Sequence, residues 1–268
     1  MNSKNIPVSL YLELLKKVLT ASVYEESAWK IKEKRSGLMR HFFRFLKRKS
    51  ILIIKTRPFD KEIRENGDDW PMFGFTMTGH KRLNNIQFCV ENILKKGTLG
   101  DFVETGVWRG GSSIFMQALL KINDVKDRKV WLADSFEGMP VPKDGADGWD
   151  YSKSDYLSVS LEQVKSNFDK FDLLDDNLVF LKGWFSDTLP SAPIEKISLL
   201  RLDGDLYSST MDALMSLYHK VSKGGFVIID DYFSWPACQQ AVTDYLSSEN
   251  IKVEIIPIDG DGAYWQVL

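Results

Sequence analysis

The sequence predicts an α/β fold built on a doubly wound, mostly parallel sheet. Short apolar runs typical of buried strands alternate with stretches of helical period along residues 81–268. Glycines follow the first of these runs, as expected where a parallel strand turns into a helix. The last two runs flank Asp259-Gly260-Asp261-Gly262, which predicts an antiparallel hairpin at the C-terminal edge of the sheet.

Each element of this domain is predicted from its own pattern. A strand, a glycine-rich turn and a helix start are expected over residues 99–113. The further strands are Val130–Ala133, Leu178–Leu181, Ile197–Leu202, Phe226–Ile229 and the hairpin Val253–Ile256 with Tyr264–Val267. The helices are Leu83–Leu94, Leu161–Phe168, Thr210–Val221 and Ala237–Ser247.

Composition excludes several classes of protein. At 268 residues, with 44% hydrophobic and 27% charged residues, the chain is an ordinary soluble polypeptide that can bury a large core. A net charge of −2 argues against wholesale nucleic-acid binding. The two cysteines, Cys89 and Cys238, do not have the spacing of a metal site, so a reduced, cytoplasmic protein is expected.

Residues 1–80 are predicted to form a separate N-terminal helical region. Val8 to Ala21 has the pattern of an amphipathic helix, and residues 60–72 have the composition of a loop. Between them, the segment 30–55 carries ten lysines and arginines against one acidic residue, with aromatic residues interleaved. Such a stretch is either a solvated helix at the rim of the domain or a surface that makes weak contact with an anionic membrane.

Two acidic clusters follow two of the predicted strands. Asp203 and Asp205 come directly after Ile197–Leu202, and Asp230 and Asp231 come after Phe226–Ile229. Ligands of an open parallel sheet bind outside the carboxyl ends of its strands. The two clusters are therefore expected to converge on one divalent cation, since adjacent carboxylates repel each other unless a cation compensates them.

The turn after the first strand predicts a cofactor site. Gly106, Gly110 and Gly111 do not have the G-x-G-x-x-G spacing of a dinucleotide site. A cofactor without a pyrophosphate, such as S-adenosylmethionine, suits this turn, with Glu104 meeting its ammonium group. Asp134 ends the second strand, where it can bind a ribose, and Trp184 can flank an adenine. Equally, Glu104 can be an ordinary carboxylate at a strand end and Trp184 a core residue.

Five ordered motifs resemble those of the macrocin O-methyltransferase family. They are Val103-Glu104-Thr105-Gly106-Val107-Trp108-Arg109-Gly110-Gly111, Ala133-Asp134-Ser135-Phe136-Glu137-Gly138, Phe180-Leu181-Lys182-Gly183-Trp184-Phe185, Leu200-Arg201-Leu202-Asp203-Gly204-Asp205-Leu206-Tyr207 and Gly225-Phe226-Val227-Ile228-Ile229-Asp230-Asp231-Tyr232. The resemblance implies a Rossmann-like methyltransferase sheet with an N-terminal helical lid. It also implies transfer of a methyl group from S-adenosylmethionine to a sugar hydroxyl, assisted by Mg²⁺, in a homo-oligomeric enzyme of antibiotic biosynthesis.

The resemblance also assigns site residues. The metal ligands match Asp203, Asp230 and Asp231, with Asp205 competing for the first place, and Asp203 is also expected to be the catalytic base. The residues expected to bind the cofactor are Thr76, Met77, Glu104, Thr105, Gly106, Ser112, Asp134, Ser135, Gly183, Trp184, Phe185 and Asp203. The lid is expected to include Tyr24 and the turn Phe75-Thr76-Met77. Phe75 stands where many members have histidine, which leaves that polar contact in doubt.

Two other functions are weighed against this one. A nicotinamide-dependent oxidoreductase is disfavoured because G-x-G-x-x-G is absent. A non-catalytic cofactor-binding scaffold docked to an anionic membrane would use the segment 30–55. For the acceptor, a small-molecule glycoside or glycan is expected, and Gly145–Tyr151 and Tyr264-Trp265 are candidates for the walls of its site. A surface turn and a pair of core aromatics are the alternative interpretations of these two segments.

Overall fold

The computed structural model describes residues 8–25, 29–31, 38–51, 53–56, 58–142, 147 and 150–268. Its main element is a seven-stranded sheet formed by β3 (Asp101–Thr105), β4 (Val130–Asp134), β5 (Leu178–Lys182), β6 (Ile197–Leu202), β7 (Val221–Ile229), β8 (Ile256–Pro257) and β9 (Ala263–Gln266). The spatial order is β5-β4-β3-β6-β7-β9-β8. β3 to β7 pair in parallel, and β9 pairs antiparallel with both β7 and β8. The predicted mostly parallel sheet with an antiparallel edge is confirmed.

Helices cover both faces of the sheet. They are α4 (His80–Lys96), α5 (Gly111–Ile122), α6 (Leu161–Asp169), the short α7 (Phe185–Thr188), α8 (Tyr207–Leu217) and α9 (Pro236–Ser248). One buried cluster joins α4, α5 and α6 to the sheet, and includes Leu83, Phe115 and Val164. A second cluster on the opposite face joins α8 and α9 through Leu214 and Val242. Trp265 is fully buried in this second cluster, so it is a core aromatic and does not line an acceptor site.

The clearest differences from the prediction are at three element boundaries. The helix expected over Thr210–Val221 is α8, which ends at Leu217 before a 3₁₀ turn. β7 then begins at Val221, because a register shift against β6 accommodates the glycines that were expected to form a turn. The first hairpin strand is only the pair Ile256–Pro257 in place of Val253–Ile256. Val253 and Ile255 instead pack against the core beside α9.

The N-terminal region contains more secondary structure than predicted. It comprises α1 (Val8–Leu19), β1 (Trp29–Ile31), α2 (Leu38–Arg48), β2 (Ile54–Thr56) and α3 (Lys61–Asn66). α1 confirms the predicted helix and packs against α4 and α5. α3 lies within the predicted loop, and its N-cap Asp60 accepts hydrogen bonds from the backbone of Glu62 and Ile63. The division into two regions at residue 80 stays a prediction.

The basic segment 30–55 is only partly described. Its helix α2 lies between β1 and β2, which pair antiparallel, while residues 32–37 fall outside the described ranges. The apolar side chains of α2 are exposed at Met39, Phe42 and Phe45. Along the part of the chain that the structure describes, no helix is long and apolar enough to cross a membrane.

A polar network attaches the segment before α4 to the glycine turn after β3. The guanidinium of Arg109 donates to the carbonyls of Met72 (2.9 Å) and Gly74 (2.8 Å). The N–H of Gly111 donates to the carbonyl of Phe75 at 2.9 Å. Residues 72–77 are therefore held directly above the turn where the cofactor is predicted to bind.

Candidate active site

The carboxyl ends of β3 and β6 mark the point where the strand order reverses. From β3 the chain proceeds outward through β4 and β5, and it then returns to place β6 and β7 on the other side. Open α/β sheets bind their ligands in the crevice at such a point. A side chain at Gly106, after β3, would clash with the carbonyl of Asp203, after β6, so this close approach requires glycine.

Two adjoining cavities open at these strand ends. The larger, of about 600 Å³, extends toward the ends of β4 and β5 and is lined by Asp134, Ser135, Gly183, Trp184 and Phe185 among others. The smaller, of about 360 Å³, extends toward the end of β7 and the segment before α4. Six residues line both cavities, namely Met77, Trp108, Met139, Leu157, Asp203 and Asp205. The two aspartates therefore lie where the cavities meet.

Three carboxylates come together at this junction. Asp203, Asp205 and Asp231 each offer an oxygen, and these oxygens lie within 4.8 Å of one another. Asp203 and Asp205 are carried by the loop between β6 and α8, whereas Asp231 follows β7, which is parallel to β6. The predicted convergence of the two acidic clusters is thus present in the structure.

The same three carboxyl groups resist ionisation. Burial, followed by the negative charge of Asp230, raises the pKa of Asp203 well above its ordinary value. Burial and the charge of Asp205 do the same to the pKa of Asp231. The pKa of Asp205 rises to about 6, chiefly through burial. Negative charge is therefore concentrated here beyond what the described residues neutralise.

Asp230 has a different environment from its neighbour Asp231. Its two oxygens lie 2.5 Å from the guanidinium of Arg82 and 2.5 Å from that of Arg201. Burial alone would raise the pKa of Asp230, but the two guanidiniums outweigh burial and lower it. The prediction that Asp230 is a metal ligand stays a prediction, and its oxygens are already shared with two arginines.

Arg201 also binds the predicted cofactor residue Glu104. The two side chains are on neighbouring strands in register, and their atoms lie 2.6 Å apart with both residues almost fully buried. Ser113 donates to the other oxygen of Glu104. Burial raises the pKa of Glu104 despite these partners. Glu104 lines the smaller cavity, so it is available to a ligand there as well as being part of an ionic network.

Asp134 connects the ends of β3 and β4. Its Oδ2 accepts from the backbone N–H of Val107 at 2.7 Å, and its Oδ1 accepts from that of Phe136 at 2.7 Å. Burial raises the pKa of Asp134, and these backbone donors oppose the increase. The carboxylate thus fixes the glycine turn while it faces the larger cavity. Its predicted contact with a ribose stays a prediction.

The remaining predicted cofactor residues fall into two groups. Ser135, Gly183, Trp184 and Phe185 line the larger cavity, and Trp184 is 40% exposed, so it is not a core residue. Thr76 and Ser112 line the smaller cavity, and Met77 lines both. Thr105 is fully buried in β3 and lines neither cavity. Tyr24, expected in the lid, is 74% exposed and also lines neither.

An aromatic group surrounds the smaller cavity. Trp70, Tyr151 and Trp235 line it, and they come from three separate loops. Trp70 stacks on Tyr156 with ring centroids 5.1 Å apart, and Tyr151 meets Trp235 edge-on at 6.1 Å. Of the predicted wall Gly145–Tyr151, Tyr151 therefore lines the smaller cavity. Asp147 instead accepts a hydrogen bond from the N–H of Tyr207 at the start of α8. Residues 145, 146, 148 and 149 lie outside the described ranges.

Sequence patterns did not predict Arg82, Trp70 or Trp235 as site residues. Arg82 occupies an ordinary polar position in the first turn of α4, and only the tertiary fold brings it to Asp230. Trp70 was part of a predicted loop, and Trp235 sits just before α9. The one available signal was that Trp235 lies four residues after Asp231, close to an acidic strand end.

Comparison with known proteins decides the family. The model of the macrocin O-methyltransferase family matches residues 8–267. The chain belongs to this family. Among curated relatives, demethyldecarbamoylnovobiocin O-methyltransferase of Streptomyces niveus is 47% identical over 98% of this chain and 95% of its own. Mycinamicin III 3''-O-methyltransferase of Micromonospora griseorubida is 43% identical over 98% of both chains.

Solved structures agree with this membership. The O-methyltransferase NovP superposes with a TM-score of 0.84 at 44% identity, covering 97% of this chain and 98% of its own. The calicheamicin methyltransferase CalS11 shares the fold with a TM-score of 0.58 at 19% identity, covering 87% and 95%. The sheet is thus that of a Rossmann-like methyltransferase, and the chain is an O-methyltransferase of the macrocin family.

Proposed function

We propose that this macrocin-family enzyme transfers a methyl group from S-adenosylmethionine to a sugar hydroxyl of a glycosylated natural product, with a bound Mg²⁺ ion. The observation that carries the proposal is the position of Asp203, Asp205 and Asp231 at the junction of two cavities. One cavity can then hold the methyl donor and the other the acceptor, with the acidic group between them.

The larger cavity suits the nucleoside part of the donor. Trp184 offers an exposed aromatic face for an adenine, and Asp134 offers an acceptor for ribose hydroxyls. The amino-acid part of the donor would then lie toward Glu104, Thr76, Met77 and Ser112. When bound, S-adenosylmethionine supplies a methyl group on a positively charged sulfur.

The acidic group suits a divalent metal. All of its possible ligand atoms are carboxylate oxygens, which Mg²⁺ prefers. Burial and then neighbouring carboxylates raise the pKa values of Asp203 and Asp231, and a bound dication would oppose both effects. Asp203 and Asp231 would hold the ion, with Asp230 as the predicted third ligand and Asp205 as its competitor. A bound cation lowers the pKa of a coordinated hydroxyl.

Asp203 is the residue that we assign as the general base. Its Oδ2 lies 2.9 Å from the guanidinium of Arg201, which positions the carboxylate at the junction of the two cavities. In the proposed reaction, the acceptor oxygen would form a bond to the methyl carbon while the carbon–sulfur bond of the donor breaks. The hydroxyl proton would move to the Asp203 carboxylate, and the products would be a methyl ether and S-adenosylhomocysteine.

Relatives support a sugar as the acceptor. Two of them are named for methylation at the 3'' position of mycinamicin III and at the 4' position of a rhamnosyl tetracenomycin. The aromatic side chains around the smaller cavity are also suited to the C–H faces of a sugar ring. Family membership disfavours the two alternatives, a nicotinamide-dependent oxidoreductase and a non-catalytic scaffold.

Two further predictions concern assembly and location. We propose that the enzyme is a cytoplasmic homo-oligomer, and that the exposed apolar residues of α2 are the part of the segment 30–55 that would touch a membrane surface or a second subunit. Size-exclusion chromatography with light scattering and flotation on anionic vesicles test these two predictions separately.

The proposed function is tested by methyl transfer from S-[methyl-³H]adenosylmethionine to a panel of glycosides, with the product mass and linkage determined. We expect label in a sugar hydroxyl with wild type and none with Asp203→Asn. Exposed Asp169→Asn, at the end of α6, serves as the control variant and should behave as wild type. Thermal stabilisation by NADH in preference to S-adenosylhomocysteine would contradict the proposal.

A further inference from the structure

The entrance of the smaller cavity combines acidic and aromatic side chains. Asp68 and Asp261 line it together with Trp70, Tyr151 and Trp235. Asp68 is exposed in the loop after α3, and Asp261 belongs to the turn between β8 and β9. These five residues will be called the entrance group.

Charge at the deep end of this cavity is nearly balanced once the proposed ligands are present. Five carboxylate residues lie there (Glu104, Asp203, Asp205, Asp230 and Asp231) against the two guanidiniums of Arg82 and Arg201. Three negative charges remain. A doubly charged metal and a singly charged sulfonium donor would offset them.

Among the described residues, the entrance group has no comparable compensation of its charge. Arg82 is the cation nearest to Asp261, at 3.2 Å, but the same guanidinium also binds Asp230 at 2.5 Å and Asp259 at 3.1 Å. Asp68 has no ion-pair partner among the described residues. Arg82 and Arg201 are also the only cationic side chains that line either cavity in the described part of the chain. An anionic acceptor would therefore meet repulsion at the entrance, and a cationic one would be attracted.

The aromatic members of the entrance group also favour a cationic acceptor. Trp70 is 40% exposed, and its stacking on Tyr156 holds the ring in place. The Tyr156 hydroxyl donates to the carbonyl of Pro71 at 2.7 Å, which fixes this support. Faces of tryptophan and tyrosine attract ammonium groups through their negative electrostatic potential. Carboxylates beside such faces are the combination that recognises an amine.

Deeper in the same cavity, one buried polar atom of Arg201 lacks a hydrogen-bond partner. Nε of Arg201 is buried without a hydrogen-bond partner among the described residues, although the other nitrogens of this guanidinium make ion pairs. Buried polar groups are nearly always satisfied, so this nitrogen favours a ligand with a hydrogen-bond acceptor in the cavity. This observation is independent of the entrance group.

We propose that the entrance group makes the enzyme selective for an acceptor glycoside that carries a protonated amine. The inference rests on the proposed sugar O-methyltransferase function and names its substrate class. The amine would lie between Asp68 and Asp261 and against Trp70, while a sugar hydroxyl reaches Asp203. An acceptor bearing a phosphate, such as a nucleotide sugar, is correspondingly disfavoured.

The test compares the binding of two matched p-nitrophenyl 6-deoxyhexosides that differ only in one ring substituent, amino or hydroxyl. Binding is measured by calorimetry at neutral pH with S-adenosylhomocysteine and Mg²⁺ present. We expect the amino glycoside to bind about tenfold more tightly. Asp68→Asn and Asp261→Asn should each reduce this ratio, and the remote Asp169→Asn should not.

Equal binding of the two glycosides, tighter binding of the hydroxyl glycoside, or no measurable binding of the amino glycoside would overturn the proposal. Asp68→Asn is the decisive variant, because Asp68 is exposed and its change does not disturb the Arg82 ion pairs. Methyl transfer to hydroxyl glycosides without any preference for the amine would overturn this inference and leave the proposed function intact. Failure of methyl transfer on every glycoside would count against the proposed function instead.

Discussion

Asp230 and Asp231 are adjacent in sequence but lie in opposite electrostatic surroundings. Asp230 is held between two guanidiniums that lower its pKa, whereas Asp231 faces Asp205 and Asp203 and has a raised pKa. The difference arises because successive residues at a strand end point in different directions. Asp230 is therefore paired with two arginines, whereas Asp231 lies among carboxylates, where we propose that it binds the cation.

The largest expected effect is on methyl transfer, when a member of the carboxylate group around Asp231 is replaced. Replacing Asp203 by Asn removes both a carboxylate ligand and the proposed base, so methyl transfer should fall by at least about a thousandfold. Binding of S-adenosylhomocysteine, measured by calorimetry, should change by less than about threefold, because most of the proposed donor contacts lie in the larger cavity. Wild-type turnover in this variant would contradict the assigned role of Asp203.

A stability comparison separates the two neighbours. Asp230→Asn leaves Arg82 and Arg201 buried with less compensation, so the free energy of unfolding should fall by about 3–5 kcal/mol. Asp231→Asn removes a carboxylate that other carboxylates repel, so the metal-free variant should be as stable as wild type or more stable. Chemical denaturation in excess chelator measures both. Equal destabilisation by the two substitutions would contradict the claim that the two aspartates differ in their electrostatic surroundings.

Added Mg²⁺ should increase the difference in stability between wild type and Asp231→Asn. Mg²⁺ that binds only the folded enzyme stabilises it by about 2.7 kcal/mol at a hundredfold excess over its dissociation constant. The melting temperature of wild type should therefore rise with Mg²⁺, and that of Asp231→Asn should rise much less. A control with Asp169→Asn should follow wild type.

The third metal ligand is resolved by comparing Asp205→Asn with Asp230→Asn. Loss of a carboxylate ligand should weaken Mn²⁺ binding, measured by electron paramagnetic resonance, by about tenfold or more. Losing a residue that only hydrogen-bonds to a metal ligand already lowers metal affinity by about tenfold. If Asp205 is the third ligand, Asp205→Asn shows this loss and Asp230→Asn does not. The reverse result would establish the ligand set predicted from the resemblance. Wild-type affinity in both variants would leave the site with only two carboxylate ligands and contradict the account.

The smallest expected effect is on pH dependence. The pKa of Asp205 is raised to about 6 from an ordinary value of about 3.9, so the folded protein binds more protons than the unfolded chain across this range. Metal-free stability should accordingly decrease as the pH rises from about 4 to 6. Asp205→Asn should flatten this dependence in denaturation curves. A stability that increases over the same range in both proteins would contradict the raised pKa.

Strand ends were predictable from sequence because local signals mark them. The apolar runs before Glu104, Asp134 and Asp203 correctly located three neighbouring strands and placed those side chains at one edge of the sheet. Boundaries were less predictable where a register shift intervened. The glycines before Phe226 resembled a turn, yet they lie inside β7 as an irregularity opposite β6.

Contacts made across the fold were not predictable from sequence. No local pattern indicates that Arg82 of α4 reaches Asp230, since 148 residues separate them along the chain. Likewise, a backbone donor to Asp134 comes from Val107 in another loop, and Trp70 lines the smaller cavity beside a segment that Arg109 holds at Met72. The sequence identified the residue types of the site, and the tertiary structure decided which of them are already paired.

The most direct test of the central claim is product formation with and without a chelator. Enzyme, S-adenosylmethionine and a glycoside panel are incubated, and methylated products are identified by mass and linkage. The account predicts a methyl ether on a sugar hydroxyl, lost in excess EDTA and restored by Mg²⁺. Undiminished methyl transfer in excess chelator would contradict the claim that the carboxylates at the junction of the two cavities act through a metal ion.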